Sequence, residues 1–267
     1  MKYKLIASDV DGTLLNSKSE LTERTKKAIQ SAVEAGVIFV TATGRPFLNV
    51  KIINDILDKD MPFIVLNGAA AYLGKSEKLL FERFLDFELA KEAFDLGQEK
   101  DISQIIWTGS RLWANRRCEK TTRYHSLSGA PEMTVISDLA VARDEVDGFS
   151  KVLWIVDSDK QNKLFTEMRS HFANRLKCVS AMSHLIEYIS IKAGKGVALN
   201  DISKLYGIDK SEVIAVGDAN NDVCMYEYAG FGVAVANASD EIKAAADYIT
   251  LSNNDDGVAE VIERFIL

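Results

Sequence analysis

The stretch that decides the fold is KLIASDVDGTLLN, residues 4–16, in which a short apolar run leads into two aspartates one residue apart. The run around Leu5 and Ile6 is typical of a buried strand. Carboxylates at the end of such a strand are costly unless a metal, a basic side chain or a helix N-terminus compensates them. The rest of the chain must therefore supply a compensating group for Asp9 and Asp11.

Strand-like and helix-like segments alternate in the first and last thirds of the chain. Thr22 is a plausible N-cap and Gly36 a stop for the first predicted helix, and Pro46 opens the second, over residues 46–59. The predicted order is strand YKLIASDV, helix TERTKKAIQSAVEAG, strand VIFVTAT, helix PFLNVKIINDILDK and strand FIVLNGA, then helix KGVALNDISKLYG, strand SEVIAVGD, helix NNDVCMYEYAG, strand FGVAVAN, helix SDEIKAAAD, strand YITLS and helix DGVAEVIERFI. Such alternation predicts an α/β fold with a doubly wound parallel sheet.

The middle of the chain follows another pattern, with longer apolar runs and hairpin-like segments. ISQIIWTGSRLWANRR and LKCVSAMSHLIEYISI each indicate two strands, FSKVLWIVD indicates one more, and KQNKLFTEMRSHFANR indicates a helix. We predict a catalytic core of residues 1–83 and 188–267, with residues 84–187 inserted between its halves as an α+β cap.

Composition and charge exclude several classes of protein. The net charge of −7 gives no basic field for nucleic acid or an anionic membrane. No segment approaches the roughly 18 apolar residues of a membrane span, and the N-terminus has no signal-peptide pattern. Three distant cysteines without a CxxC pair argue against a disulfide framework or a zinc site. We expect a cytoplasmic protein that needs no nucleic acid, membrane or protein partner.

Polar residues follow four of the predicted strands. Ligands of parallel α/β sheets bind beyond the carboxyl ends of the strands, so these residues are expected to share one edge. Lys195, at the start of the helix that begins with GKG, can join them. In strand order the residues are Asp9 and Asp11, then Thr43, Gly44 and Arg45, then Asn67 and Gly68, and finally Asp218, Asn221 and Asp222.

The acidic residues predict a divalent metal. Residues two apart in an extended chain face the same side, so Asp9 and Asp11 can share a site. Asp218 and Asp222 are four apart in a predicted helix and can lie on one face. Carboxylates gathered in this way repel one another unless a cation compensates them. Ligands that are all oxygen favour Mg²⁺ over zinc.

Neutral donors and one cation complement the acids. They are the Thr43 hydroxyl, the Gly44 amide, Lys195 and Asn221. Lys195 also stands at a helix N-terminus, where free N–H groups and the helix dipole favour an anion. Donors and a divalent cation around one point predict a site for a tetrahedral dianion, a phosphoryl group.

Four motifs carry a family resemblance. DVDGTLL, TATGRP, KGVAL and GDANNDVCM resemble, in order and content, the signature motifs of the haloacid dehalogenase-like (HAD) phosphatases. NGA at Asn67 and the tail NASDEIKAAADYIT, followed by DDGVAEVI, narrow the resemblance to the Cof-type sugar-phosphatase branch. The resemblance implies a Rossmann-like core with a cap between the second and third motifs. It is close over both core segments, and over the cap it extends only to length and general pattern.

The resemblance also implies roles for the motif residues. Asp9 would be the nucleophile that forms an aspartyl phosphate, and Asp11 would protonate the leaving alcohol and then activate water. Asp9 and Asp218 would bind Mg²⁺ through side chains and Asp11 through its backbone carbonyl, with Asp222 supporting the water shell of the metal. The phosphoryl oxygens would be held by the Val10 and Gly44 amides, Thr43, Lys195 and Asn221. Arg45 and Asn67 are weaker candidates, either for the site or for an ion pair and a turn.

The predicted function is Mg²⁺-dependent hydrolysis of small phosphorylated metabolites, above all sugar phosphates. Two alternatives stay open. A phosphomutase similar to the phosphomannomutases would need a second phosphate site, for which the cap offers Arg111, Arg116, Arg117 and Arg123. A non-catalytic binding protein on the same fold is the other alternative, and the intact nucleophile, acid, lysine and metal ligands argue against it.

Overall fold

The computed structural model describes residues 2–50, 53, 59–108, 111–130, 132–180 and 182–267. The chain divides into two compact units. The first unit comprises Met1–Gly44, Val50–Phe81 and Gly194–Leu267, and the second comprises Arg45–Asn49 and Glu82–Ala193.

The bounds of the strands and helices within the described ranges are as follows. The strands are β1 (Leu5–Ser8), β2 (Ile38–Ala42), β3 (Pro62–Val65), β4 (Ala70–Leu73), β5 (Leu79–Glu82), β6 (Ser103–Thr108), β7 (Arg111–Ala114), β8 (Met133–Val135), β9 (Lys151–Ile155), β10 (Leu176–Val179), β11 (Leu185–Ser190), β12 (Val213–Gly217), β13 (Phe231–Ala234) and β14 (Tyr248–Ile249). The α-helices are α1 (Glu23–Glu34), α2 (Phe87–Glu99), α3 (Glu119–Ser128), α4 (Ser158–Phe172), α5 (Lys195–Leu205), α6 (Val223–Tyr228), α7 (Asp240–Ala244) and α8 (Gly257–Phe265).

The first unit is built on an eight-stranded sheet in the order β14-β13-β12-β1-β2-β3-β4-β5. The pairs from β14 to β3 are parallel, which confirms the predicted doubly wound α/β core. β4 returns antiparallel to β3, and neither β4 nor β5 was predicted. Because β12, β1, β2 and β3 run in one direction, the residues that follow them emerge at one edge of the sheet.

Helix α1 shows how local sequence fixes an element beside this sheet. The Thr22 side chain accepts a hydrogen bond from the Thr25 amide, which confirms Thr22 as the N-cap. Gly36, just beyond the helix, has φ +94°, a conformation that favours glycine. The apolar face of the helix is buried: Ala28, Ile29, Ala32 and Val33. Half of the helix predicted over residues 46–59 lies outside the described residues, and within them Phe47–Asn49 form a single short turn.

The second unit contains a six-stranded sheet in the order β10-β11-β9-β6-β7-β8. The pairs from β10 to β7 are antiparallel, so this unit is α+β as predicted. The predicted boundary between residues 187 and 188 falls inside β11, which pairs with β9 and β10, and the unit therefore continues to Ala193. Among the described residues, none of the helices combines the length and apolar content needed to cross a bilayer.

Candidate active site

Asp9 lies at the carboxyl end of β1. Its amide still donates to the carbonyl of Val216 in β12, at 2.9 Å, so its backbone is fixed by the sheet. The chain then turns through Gly12, which has φ +77°. A Cβ on Gly12 would lie 2.6 Å from Asp218 Oδ2, so only glycine allows the turn to approach Asp218 this closely.

Lys195 is the buried cation of the site and comes from the first residue of α5. Its Nζ lies 2.6 Å from Asp9 Oδ1 and 2.6 Å from Asp222 Oδ1, and its side chain is only 1% exposed. Gly196 allows this helix end to pack against α6, because a Cβ there would lie 2.0 Å from the carbonyl oxygen of Cys224. The lysine is thus held between two carboxylates from different segments of the core.

Asp218 and Asp222 lie close together in a turn, and not on one face of a helix as predicted. They were expected on one face of a helix, but α6 begins only at Val223 and the preceding residues form a turn. Within the turn, Asp222 Oδ2 accepts hydrogen bonds from the amides of Asp218 and Ala219, at 3.1 and 3.0 Å. The helical spacing was the wrong reason for their proximity, because the side chain of Asp222 organises the turn itself.

Three carboxylates form the acidic centre of the site. One oxygen each from Asp9, Asp218 and Asp222 lies within 4.8 Å of the others. Burial raises the pKa of Asp9 well above its ordinary value; Lys195 opposes this rise and Asp222 adds to it. Burial also raises the pKa of Asp218. Burial alone would lower the pKa of Lys195, but Asp222 and Asp9 outweigh it and raise that pKa.

The charges and donor atoms of this centre fit a hard divalent cation. When ionised, three carboxylates beside one lysine carry two uncompensated negative charges. A divalent cation would balance them, and oxygen donors are the ligands that Mg²⁺ prefers. Asp11, predicted as a backbone ligand, is half-buried in the turn after β1 and has an extended backbone at φ −82° and ψ 123°.

Asn67, which follows β3, contacts two of the predicted donors, Thr43 after β2 and Asn221 after β12. Thr43 is buried, its amide donates to the carbonyl of Ile64 and its carbonyl accepts from the amide of Asn67, both at 2.9 Å. Asn221 Nδ2 donates to Asn67 Oδ1 at 2.9 Å. A Cβ on Gly44 would lie 3.2 Å from the Asn67 side-chain amide. Asn67 therefore contacts the backbone of one predicted site residue and the side chain of another.

Asn67 and Gly68 also form a tight turn. Their φ angles are +55° and +87°, and a Cβ on Gly68 would lie 2.3 Å from the carbonyl of Gly194. The sequence left open whether this pair forms a turn or belongs to the site. The structure shows the turn, and in it Asn67 also contacts Thr43 and Asn221. Of the remaining candidates, Val10 is fully buried, and Arg45 is half-buried and grouped with the second unit.

Thr13 is a residue that the sequence analysis missed. Its Oγ1 donates to Asp218 Oδ1 at 2.8 Å, so it orients a carboxylate of the acidic centre from the opposite loop. The available signal was its place directly after Asp11 and Gly12 in the first motif. That signal had no predictive value without the fold, because residue 218 is distant in sequence.

The fold and the site define a doubly wound α/β enzyme with an acidic centre and a buried lysine at the carboxyl edge of its parallel strands. The family model of the haloacid dehalogenase-like hydrolases matches residues 6–262, and the chain belongs to this family.

Curated relatives and solved structures agree with this assignment. Phosphatase YwpJ of Bacillus subtilis is 31% identical, with 98% of this chain and all of that protein covered. The 5-amino-6-(5-phospho-D-ribitylamino)uracil phosphatase YwtE of the same organism is 29% identical, with 98% of each covered. The structure of a haloacid dehalogenase-like hydrolase from B. subtilis has a TM-score of 0.85 at 28% identity, over 98% of this chain and 99% of that one. The chain is accordingly a phosphoric monoester hydrolase.

Proposed function

We propose that this enzyme hydrolyses small phosphorylated metabolites, above all sugar phosphates, in a Mg²⁺-dependent reaction that passes through an aspartyl phosphate on Asp9. The observation that carries the proposal is the Asp9 carboxylate at the end of β1, with Lys195 Nζ 2.6 Å from one of its oxygens. The name of YwtE, a phosphatase of a phosphorylated ribityl compound, supports a sugar-like leaving group.

In the first step, an oxygen of Asp9 attacks phosphorus and the bond to the leaving oxygen breaks. Asp11 gives its proton to the leaving alcohol. In the second step Asp11, now a carboxylate, removes a proton from water, which attacks the phosphorus of the aspartyl phosphate. Inorganic phosphate leaves and Asp9 is regenerated. Lys195 favours the ionised form of Asp9, which a nucleophile requires and which burial opposes.

The side chains of Asp9 and Asp218, with the backbone carbonyl of Asp11, would hold Mg²⁺. Bound there, the ion would supply positive charge against the phosphoryl oxygens and the acidic centre. Asp222 is better suited to another role, because its Oδ1 pairs with Lys195 and its Oδ2 accepts two backbone amides. We assign it to holding the lysine and the turn in place.

The phosphoryl oxygens would be held by donors from four places in the core, namely the loops after β1, β2 and β12 and the first residue of α5. Lys195 supplies a charged donor, and the Thr43 hydroxyl, the Asn221 amide and the backbone amides of Val10 and Gly44 supply neutral ones. Fixed donors of this kind stabilise the charge that develops on the phosphoryl group in the transition state. The proximity of Thr43, Asn67 and Asn221 in the first unit supports this arrangement.

The second unit is the proposed source of substrate selectivity. The core donors recognise the phosphoryl group, which every substrate shares, so discrimination needs contacts with the rest of the molecule. The chain returns from the second unit at Gly194, one residue before Lys195. We infer that this unit acts as a cap that excludes water and contacts the leaving group.

The contacts of three of the four arginines named for a mutase support a phosphatase instead. Arg116 pairs with Asp101, and Arg111 with Glu145. Arg117 donates to a backbone carbonyl. These contacts lie within the second unit, and none of them gathers the arginines into the second phosphate site that a bisphosphate intermediate would need.

Asp9→Asn tests the proposed nucleophile. The substitution keeps the volume of the side chain but removes its charge and its nucleophilicity, so kcat should fall at least about 10³-fold. Phosphate release is measured with Mg²⁺ and a panel of sugar phosphates, and circular dichroism checks the fold. Asp240→Asn, an exposed carboxylate in α7, is the matched control and should retain wild-type activity. Activity of Asp9→Asn within tenfold of wild type would rule out the assigned role.

A further inference from the structure

Asn67 is held in an unfavourable backbone conformation at a buried position. It is 2% exposed and has φ 55° and ψ 33°, the left-handed region that most side chains avoid. Glycine would adopt these angles at lower cost. Asparagine tolerates these angles better than most other side chains, and here its side chain also accepts a hydrogen bond from Asn221.

The side-chain amide of Asn221 has one acceptor and two donors, and its nitrogen and oxygen differ in their hydrogen-bond partners. Nδ2 donates to Asn67 Oδ1 at 2.9 Å. Oδ1 of Asn221 is buried and has no hydrogen-bond partner among the described residues. The bond to Asn67 is thus the contact that distinguishes the nitrogen from the oxygen and selects one of the two amide orientations.

We propose that Asn67 is a positioning residue that fixes the amide orientation of Asn221, so that an N–H rather than the oxygen faces the phosphoryl group. The inference rests on the proposed function, in which Asn221 is a phosphoryl donor. One N–H is used by Asn67, and the planar amide then fixes the direction of the second. In the opposite orientation the oxygen of Asn221 would face an anionic oxygen, and attraction would become repulsion.

Asn67 is itself anchored by backbone contacts, which makes it suitable for this task. Its amide donates to the carbonyl of Thr43 at 2.9 Å. Gly68 packs against the carbonyl of Gly194, directly before α5. The backbone that carries the Asn67 side chain is therefore held by the loop after β2 and the start of α5 before substrate arrives.

The test is a double-mutant cycle on Asn67→Gly and Asn221→Ala. Glycine tolerates φ 55°, so Asn67→Gly removes the side chain without adding backbone strain. We expect about a tenfold or larger fall in kcat/KM and a parallel rise in the inhibition constant of inorganic phosphate for Asn67→Gly, and a larger effect for Asn221→Ala. Because Asn67 acts through Asn221, the double variant should be no worse than Asn221→Ala alone.

The outcomes separate the inference from the function on which it rests. If Asn221→Ala leaves kcat/KM and phosphate inhibition unchanged, the phosphoryl role of Asn221 is wrong. If Asn221→Ala is impaired but Asn67→Gly is not, or if their effects multiply in the double variant, the positioning role is wrong. Ser19→Gly is the matched control, since Ser19 is exposed and also has a positive φ of 60°, and its activity should be that of wild type.

A second readout is measured on the wild-type protein, and Asn221→Ala serves only to assign its signals. The two side-chain NH₂ protons of Asn221, assigned by their absence in Asn221→Ala, give separate signals because rotation about the amide C–N bond is slow. Titration with orthovanadate, used as a phosphate analogue, should shift one of the two protons much more than the other. Equal shifts of both protons would overturn the proposal.

Discussion

At the scale of single residues, Lys195 lies at the centre of the site. Its ammonium group is buried between Asp9 and Asp222, and each ion pair is 2.6 Å long. Breaking a buried pair by removing one partner is strongly destabilising, because the remaining charge stays without water. The two carboxylates raise the pKa of the lysine, so it remains protonated over the physiological range. It therefore supplies a permanent positive charge beside Asp9.

Asp11→Asn should separate proton donation from nucleophilic attack. The proposed metal contact of Asp11 is its backbone carbonyl, so the Mg²⁺ concentration for half-maximal activity should change little. An alkoxide is a poor leaving group and needs the proton, whereas a nitrophenolate does not. The loss of kcat should therefore be at least about tenfold larger for a sugar phosphate than for p-nitrophenyl phosphate. Equal losses on the two substrates would contradict the role of an acid.

The sequence predicted one shared edge for the site candidates but not the individual contacts among them. Asp9, Lys195, Asp218 and Asn221 were placed at one edge because strand ends of a parallel sheet converge there. Asp222 contacts both Lys195 and the backbone amide of Asp218. This pair of contacts was not predictable, because it depends on the path of a turn rather than on helical spacing. Side-chain contacts between distant segments require coordinates, whereas the direction of a parallel strand does not.

At the scale of elements, the contact between α5 and α6 determines where Lys195 lies. Gly196→Ala would place a Cβ 2.0 Å from the carbonyl oxygen of Cys224, so α5 must move away from α6. Overpacking of this kind costs about 1–3 kcal/mol of unfolding free energy. Because Lys195 precedes Gly196, kcat/KM should fall as well. Denaturant unfolding and steady-state kinetics measure the two effects.

The matched control lies on the same helix. Val197 is 41% exposed, and alanine is a good helix former, so Val197→Ala should change the unfolding free energy by no more than about 0.5 kcal/mol. If Gly196→Ala is as stable and as active as this control, the close approach of the two helices does not position the lysine.

Several elements with strong local signals were predicted, but α2 was missed although Asp86 caps it and it has a buried apolar face, and elements that depend on packing were missed as well. α1 has a capping threonine and an apolar face, so its sequence alone indicates a helix. α3 buries only Thr121 and Ser128 and has no apolar stripe to reveal it. β5 is a short strand at the sheet edge and buries none of its four residues. Its strand conformation depends on the sheet that it joins, which a local pattern does not report.

At the scale of the whole molecule, the second unit has a hydrophobic core of its own. Trp154 packs edge-on against Tyr188 with ring centroids 5.0 Å apart, and Phe172 contacts the same tyrosine at 5.4 Å. These aromatic side chains belong to a buried cluster drawn from the sheet and helices of that unit. The parallel sheet of the first unit likewise buries both faces of β1 and β12. Each unit thus buries apolar residues of its own, and we expect the first unit to fold without the second.

Removal of the second unit tests whether the first unit recognises the phosphoryl group and the second selects the substrate. A variant that joins Phe81 to Gly194 through a short Gly/Ser linker retains the residues of the acidic centre, Lys195 and the phosphoryl donors. It should bind Mg²⁺, as measured by calorimetry, and hydrolyse p-nitrophenyl phosphate slowly, because water is no longer excluded from the site. The kcat/KM values of different sugar phosphates should become similar, because differences between substrates come from contacts outside the phosphoryl group. A folded variant that kept the parent ranking would place selectivity in the core and contradict the role of a cap.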